Sequence, residues 1–322
     1  MIIIEIVAKV SIEGAGVAAC CAAHLLNASG NAPSRSDDRA RVPAVLLSNT
    51  AQLLICDIFG RKNLFDCDHR IRKRIVAWGG QRPVTVEHVG VVVSEQQLLD
   101  RLRPAIEETD ATAPWTIFTS RARHSVQRQF GTRIATAARV EIAGDSSACA
   151  IESLDAGWLF LVPDSVDCGW LLSVGEARLS RSLIVAKMIS RVIATAGEFP
   201  AYPRIVSPLA GAGWLACGSA AMGFDPICGD GAANAVREAI LAAAVIRAAL
   251  NGADPKPLLK HYDARLKLGF KRHLMLCRDF YRADGAWWDR ERASLEEGIS
   301  WCGAEPRFDY QLVGFDLRPV SA

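Results

Sequence analysis

The segment Gly14-Ala15-Gly16-Val17-Ala18-Ala19 stands between an alternating, β-branched stretch over residues 2–13 and a run of small, helix-forming residues from Val17 to Asn27. No other feature constrains the fold as strongly. A strand that passes through a Gly-x-Gly turn into a helix opens a βαβ unit. The glycines permit a tight turn and close approach of a phosphate, and a small third residue, here Ala19, lets helix pack on strand. The helix N-terminus presents unpaired N–H groups to an anion. The same spacing also serves a plain tight strand–helix turn. A polar loop follows over residues 31–42, and Pro43 to Leu47 reads as the second strand of the unit. Ser48 and Asn49 then occupy the place where an acidic residue usually holds a ribose.

Downstream the pattern alternates. Thr50 to Phe59 has helical composition, residues 75–93 read as strands around Trp78-Gly79-Gly80, and Glu95 to Arg103 is an amphipathic helix stopped by Pro104. Trp115 to Phe118 is a short strand. Residues 134–175 are strand-like, with turns at Gly144-Asp145, Asp155-Ala156-Gly157 and Pro163-Asp164. Trp214 to Cys217 is another strand, and a long alanine-rich helix spans Ala232 to Leu250, stopped by Asn251-Gly252. A further helix is expected from Pro257 to about Phe280, with an irregular tail carrying Trp287, Trp288 and Trp301. The expected class is therefore α/β: a Rossmann-like nucleotide-binding domain interleaved with a smaller, mainly β domain and a C-terminal helical region.

Composition narrows the function. Lys+Arg number 37 and Asp+Glu 35, so the net charge of +2 gives no basic footprint for nucleic acid. The one basic run, Arg70 to Arg74, reads as a solvated face or strand edge. A hydrophobic half argues for a substantial core and against disorder. The start, Met1 to Val7, is apolar but short and interrupted by Glu5, which does not match a secretory signal, and no uninterrupted run reaches the length of a membrane span. The ten cysteines are scattered without a Cys-x-x-Cys pair, so no metal site is expected. All of this fits a reducing, cytoplasmic setting.

The second constellation is Gly218-Ser219-Ala220-Ala221, then Asp225-Pro226, then Gly229-Asp230-Gly231-Ala232-Ala233-Asn234 at the head of the alanine-rich helix. A packing helix alone explains the alanines but not Asp-Pro followed by two glycines. With the first glycine motif, this spacing resembles the FAD-dependent monooxygenases of the p-hydroxybenzoate hydroxylase fold, nearest to the tryptophan-halogenase-like flavoproteins. Gly157-Trp158-Leu159-Phe160-Leu161-Val162-Pro163 is similar to their substrate-domain strand. Phe280-Tyr281-Arg282 with Trp287-Trp288 resembles the tail of halogenase-like hydroxylases that modify peptidyl tryptophan.

The resemblance implies an FAD site built from Gly14, Gly16, Ala19, Ser48, Arg101, Gly218, Ser219, Asp225, Pro226, Gly229, Gly231, Ala232 and Asn234. Trp158 and Phe160 would line a substrate pocket. It implies oxygen transfer to an aromatic or indole-type substrate, small or peptidyl, through a flavin hydroperoxide, with electrons from NAD(P)H or a partner flavin reductase. The implied division is a discontinuous FAD domain over 1–60, 90–133 and 205–252, a substrate domain over 61–89 and 134–204, and a helical region over 253–322.

Several positions depart from the family pattern. Ser219 stands where an aspartate holds the ribityl chain, and Glu95 where an arginine opens the R-x-x-L helix. Thr119 to Arg123 lacks the usual acid and glycine, and Ser48 replaces the ribose acid. Arg101 or Arg103 would compensate for Glu95. The halogenases' catalytic lysine has no counterpart, since Lys62 and Lys73 lack its neighbours. The departures keep a second reading open, a degenerate flavin fold serving as a binding or accessory module. A nicotinamide-dependent dehydrogenase would need only the first motif. No acid–base residue is singled out. His24 reads as packed or surface; His124, His261 and His273 have no carboxylate or cysteine arrangement around them, and His261-Tyr262 and Arg272-His273 read as a solvated helix face.

Overall fold

The computed structural model describes residues 10–26, 42–102 and 113–320. In chain order, the first elements are β1 (Val10–Glu13), α1 (Val17–Leu26), β2 (Val45–Ser48), α2 (Asn49–Phe59), β3 (His69–Ala77), β4 (Val84–Val93) and α3 (Glu95–Leu102). The β-rich middle holds β5 (Trp115–Phe118), β6 (Val126–Gln129), β7 (Ile134–Ile142), β8 (Ala148–Leu154), β9 (Gly157–Pro163), β10 (Cys168–Gly175) and β11 (Ile189–Pro200). Then come β12 (Arg204–Ser207), β13 (Ala210–Gly211), β14 (Trp214–Ala216), β15 (Met222–Gly223), α4 (Gly231–Leu250), α5 (Pro255–Phe280), α6 (Ala286–Trp301), β16 (Tyr310–Val313) and β17 (Asp316–Pro319). The expected residues 2–9, the loop from 31 to 41, Asn27, Arg103 and Pro104 lie outside the described residues.

One sheet has the order β1-β5-β14-β13, with β1, β5 and β14 parallel. It carries α1 at the C-terminal end of β1. Gly14 and Gly16 have φ of 111° and 130°, a backbone that side chains resist, which is why the turn requires glycine at both. A Cβ on Gly14 would lie 2.4 Å from Ser120 Oγ, so the turn also fits closely against the end of β5.

The second sheet has eight strands in the order β11-β7-β10-β9-β8-β3-β4-β2. Its β9 is buried throughout, and its side chains alternate between two apolar layers. Trp158, Phe160 and Val162 join the main core shared with the helices, whereas Leu159 and Leu161 join a second cluster with Val140, Leu171 and Val185. This face-by-face division sandwiches the sheet between two apolar layers.

The run Pro43–Leu47 does supply a strand, β2, which among the described residues pairs antiparallel with β4 at the edge of the large sheet. Ser48 serves as the N-cap of α2, its Oγ accepting from Ala51 N at 3.3 Å.

The alanine-rich α4 packs on α1, small face to small face, as alanine's helix propensity and size allow. Helix α5 begins at Pro255, where Asp254 caps Lys256 N at 3.0 Å. The tail is not irregular: α6 is helical over sixteen residues and buries Trp287, Trp288 and Leu295, and β16–β17 close as a hairpin. Burial also overturns the solvated face expected on α5. His261, Tyr262 and His273 are all buried.

Candidate functional site

A cavity of about 830 Å³ opens where the first glycine turn meets the end of β5 and the start of the second motif. Its lining includes Gly14, Ser120, Arg121, Arg123, Arg204 and Ser219. Two residues over two hundred positions apart, Gly14 and Ser219, thus share one concavity, as the resemblance implies. The volume lies within the ordinary range of a ligand site, roughly 300–1,000 Å³. Three guanidinium groups on its wall favour an anionic ligand. Among the described residues, no atom lies within 4 Å of a Cβ position on Gly16, so none of them blocks close approach to the backbone at the head of α1.

Two features of the lining oppose an anion. Glu13 also lines the cavity and pairs with Arg123 at 2.7 Å. Ser120 Oγ accepts a hydrogen bond from Ala15 N at 3.1 Å, so a serine hydroxyl already fills one of the loop N–H groups. Ser120 stands in the Thr119-to-Arg123 turn, and a residue without a hydroxyl at this position would remove that acceptor from the Ala15 N–H.

Ser219 is reached through a turn that requires glycine at Gly218. Gly218, with φ of 59°, lies so near α1 that a Cβ would meet that of Ala18 at 2.8 Å. Its N–H donates to Glu238 Oε2 at 2.7 Å, while Glu238 Oε1 has no hydrogen-bond partner among the described residues. Burial inside α4 pushes the Glu238 carboxyl up to about 8, and the Gly218 hydrogen bond only partly offsets this. Ala19 is buried under the turn, as a small residue there requires.

The Asp225-Pro226 segment behaves differently from the expectation that Asp225 meets the cofactor. Its carboxylate points into the protein. Oδ1 caps Ile227 N at 3.0 Å, and Oδ2 accepts from Tyr281 Oη at 2.9 Å and pairs with Arg133 at 2.9 Å. Pro226 starts a short 3-10 turn that Gly229, with φ of 62°, terminates. Past it, Asp230 Oδ1 accepts from Ser48 Oγ at 3.3 Å, and Arg237 bridges Asp230 Oδ2 at 2.9 Å and Asn234 Oδ1 at 3.1 Å. Ser48 and Asn234 therefore do come together, but around Asp230 at the head of α4, with Gly231 open and Ala232 half-buried beside them.

Arg101 is drawn elsewhere. It makes a two-pronged ion pair with Asp68 at 2.5 and 2.7 Å and bonds Leu64 O. It is absent from the cavity wall and locks α3 to the segment before β3. Glu95 is buried and accepts from Val42 N at 2.8 Å.

Trp158 is fully buried and donates its indole N–H to Tyr281 Oη at 3.0 Å. It is a core residue, which corrects its assignment to a substrate pocket. Phe160 is also largely buried, but its ring lies 5.7 Å from the Arg74 guanidinium carbon. Arg74 Nη2 approaches His88 Nε2 at 3.4 Å and lies 3.6 Å from a Cβ position on Gly229. The large sheet and the second glycine turn meet at this point. Burial, and then the neighbouring Arg74 charge, lower His88 to about 4, so it is neutral at pH 7.

Three groups were hidden from sequence reasoning. Arg204 is an isolated arginine in strand context, Arg74 sits in a basic run, and Glu238 sits in a helix whose glutamate would ordinarily face water. The fold also gathers Cys228, His273 and Cys277, with ligand-type atoms within 4.8 Å of one another. His273 and Cys277 share the i, i+4 spacing of α5, but no sequence spacing links them to Cys228, so the expectation of no metal-type cluster is corrected to that extent. Sequence reading also left His273 without a cysteine neighbour, and the structure supplies two.

No protein-family model and no curated protein sequence matches the chain. Solved structures do. The peptidyl tryptophan dihydroxylase QhpG, described as essential for tryptophylquinone cofactor biogenesis, superposes with a TM-score of 0.70 at 19% identity, covering 88% of this chain and 78% of that one. The myxobacterial chondrochloren halogenase CndH, an FAD-dependent halogenase, gives 0.75 at 14% identity, with 88% and 85% covered. HpxO of Klebsiella pneumoniae, solved with FAD as an R204Q variant, gives 0.62 at 15% identity, with 91% and 93% covered. Sheet order, helix placement and these superpositions agree: the chain has the fold of the FAD-dependent monooxygenases and flavin-dependent halogenases, in a divergent form.

Proposed function

We propose that this chain binds FAD along α1, in the cavity between the Gly14 turn and Ser219, and acts as an oxidoreductase on an aromatic or indole-type substrate. One observation carries the reading: the cavity joins Gly14 of the first motif to Ser219 and Ala220 at the start of the second, and Arg121, Arg123 and Arg204 line it. The residues fit a dinucleotide. Arg121 and Arg123 would face the pyrophosphate, Gly16 would admit it to the head of α1, and Ser219 would offer a hydroxyl to the ribityl chain. Bound flavin supplies two-electron chemistry and reaction with dioxygen; the protein supplies position and shielding.

At the other end, Arg74, Phe160 and neutral His88 would orient an aromatic substrate beside the Gly229 turn. The Arg74 charge favours a substrate carrying a carboxylate or phenolate. Electrons would come from NAD(P)H or a partner flavin reductase. The lack of a counterpart for the halogenases' lysine motif favours oxygenation over halogenation. Titration of FAD into the purified protein, followed by NAD(P)H oxidation with indole-type candidates, tests the reading. A saturable flavin spectrum and substrate-stimulated oxidation are expected.

A second reading rests on the Ser120–Ala15 hydrogen bond and on Glu13 in the cavity. Both oppose a pyrophosphate and favour a flavin fold that has become a binding or accessory module. Absence of flavin binding in the wild type, with binding restored by Ser120→Gly, is the result that would select it.

A further inference from the structure

Cys228 closes the 3-10 turn of the second motif, and Cys277 sits on α5 opposite. Their Sγ atoms are 3.6 Å apart. Cys228 is half-buried, whereas Cys277 is fully buried behind it. His273, one helical turn before Cys277, places Nε2 3.3 Å from Cys277 Sγ and accepts a hydrogen bond from Asp225 N at 2.9 Å. That bond occupies the Nε2 lone pair, so the imidazole is not presented as a metal ligand through Nε2, and the two sulfurs are left facing each other. We propose that Cys228 and Cys277 form an oxidisable pair, which a hydroperoxide converts into a disulfide that fastens the Pro226–Gly229 turn to α5.

The arrangement has the parts of a peroxide-reactive dithiol: a reachable attacking sulfur and a resolving sulfur in contact. Hydrogen bonding from Cys277, then the proximity of His273, holds the Cys228 thiol down at about 6 despite burial, while burial holds Cys277 up. The attacking role falls to Cys228 because it is the half-buried sulfur, with Cys277 fully buried behind it as the resolving partner. Its sulfur attacks one peroxide oxygen; an S–O bond forms, the O–O bond breaks, and the departing hydroxide leaves as water with the thiol proton. Cys277 sulfur then attacks the sulfenic sulfur; the S–S bond forms, the S–O bond breaks, and hydroxide leaves with the second thiol proton. Two thiols and one hydrogen peroxide give one disulfide and two waters, with two electrons passing from sulfur to oxygen. The sulfurs need to close from 3.6 Å to about 2.0 Å, which side-chain rotation on the short turn supplies.

The pair does not depend on bound flavin, so the test uses the reduced full-length protein alone. Equimolar hydrogen peroxide is added, remaining thiols are alkylated at intervals, and peptides are mapped by mass. The expected result is a Cys228–Cys277 linked peptide that forms on the order of tenfold faster than exposed Cys67 is oxidised, and that dithiothreitol reverses. In Cys277→Ser, a dimedone adduct should accumulate on Cys228. The proposal is overturned if Cys228 and Cys277 remain fully alkylated while Cys67 is consumed, or if Cys228 links to another cysteine. It is likewise overturned if the folded Cys277→Ser protein yields no adduct at Cys228.

Discussion

Asp225 Oδ2 lies 2.9 Å from Arg133 Nη2, and neither side chain reaches solvent. The same guanidinium bonds Glu291 Oε2 at 2.5 Å, and its carbon sits 4.8 Å from the centre of the Tyr281 ring. The aspartate of the Asp-Pro motif thus ties the second glycine turn to β7, α5 and α6. Its function is to hold the turn in place from behind.

Removing the cation from this triad leaves two buried carboxylates unpaired. Arg133→Met should lower unfolding free energy by about 3–5 kcal/mol in a denaturant titration. Asp225→Asn keeps an acceptor toward Ile227 N and leaves Arg133 paired with Glu291, so its loss should be clearly smaller. Equal losses would contradict the triad's arrangement.

Trp158 gives a second test of structure against pocket. Trp158→Phe removes the hydrogen bond to Tyr281 Oη and opens a small cavity in the core. A loss of about 1–3 kcal/mol in stability is expected, with flavin affinity unchanged. A variant of native stability and altered substrate preference would return Trp158 to the pocket.

Glu238 should make stability depend on pH. Its carboxyl titrates near 8 in the folded protein against an ordinary 4.5. Between these values the folded state holds a proton that the unfolded state has released. Its contribution is therefore complete below about 4.5, falls as pH rises through the window, and is flat above about 8, with a slope up to about 1.4 kcal/mol per pH unit. Glu238→Gln should remove that slope in denaturation curves recorded from pH 5 to pH 8. An unchanged slope would place the titrating group elsewhere.

The cavity makes its own prediction. Ser120→Gly frees Ala15 N–H, and Glu13→Gln releases Arg123 from its carboxylate. Each should tighten FAD binding by about 3- to 10-fold, since each adds roughly one charge-assisted contact to phosphate. Arg121→Ala should weaken it by a similar factor and flatten its salt dependence. Fluorescence titration reads all three, and weaker binding in Ser120→Gly would contradict the role given to the turn.

Much of this was legible in the sequence because it rests on local rules. Gly14 and Gly16 adopt positive φ, and the strands from 134 to 175 follow period-two patterning and turn residues. What stayed hidden depends on partners distant along the chain. The Pro43–Leu47 run has strand chemistry, but its neighbour β4 is chosen by the tertiary sheet. Arg101 had a free charge in sequence and an Asp68 partner in space. Asp225 matched a motif, but its direction is set by Arg133, ninety-two positions earlier. Helix α6 was missed because its charged residues mask the Trp287, Trp288 and Leu295 stripe that it buries.

The central claim is that the cavity between Gly14 and Ser219 holds a flavin. Its most direct measurement is the visible spectrum and fluorescence of FAD titrated with the purified, reduced wild-type protein. A saturable one-to-one quench with a shifted flavin absorption band, lost in Arg121→Ala, is the predicted result. An unaltered flavin spectrum with protein in excess would contradict it.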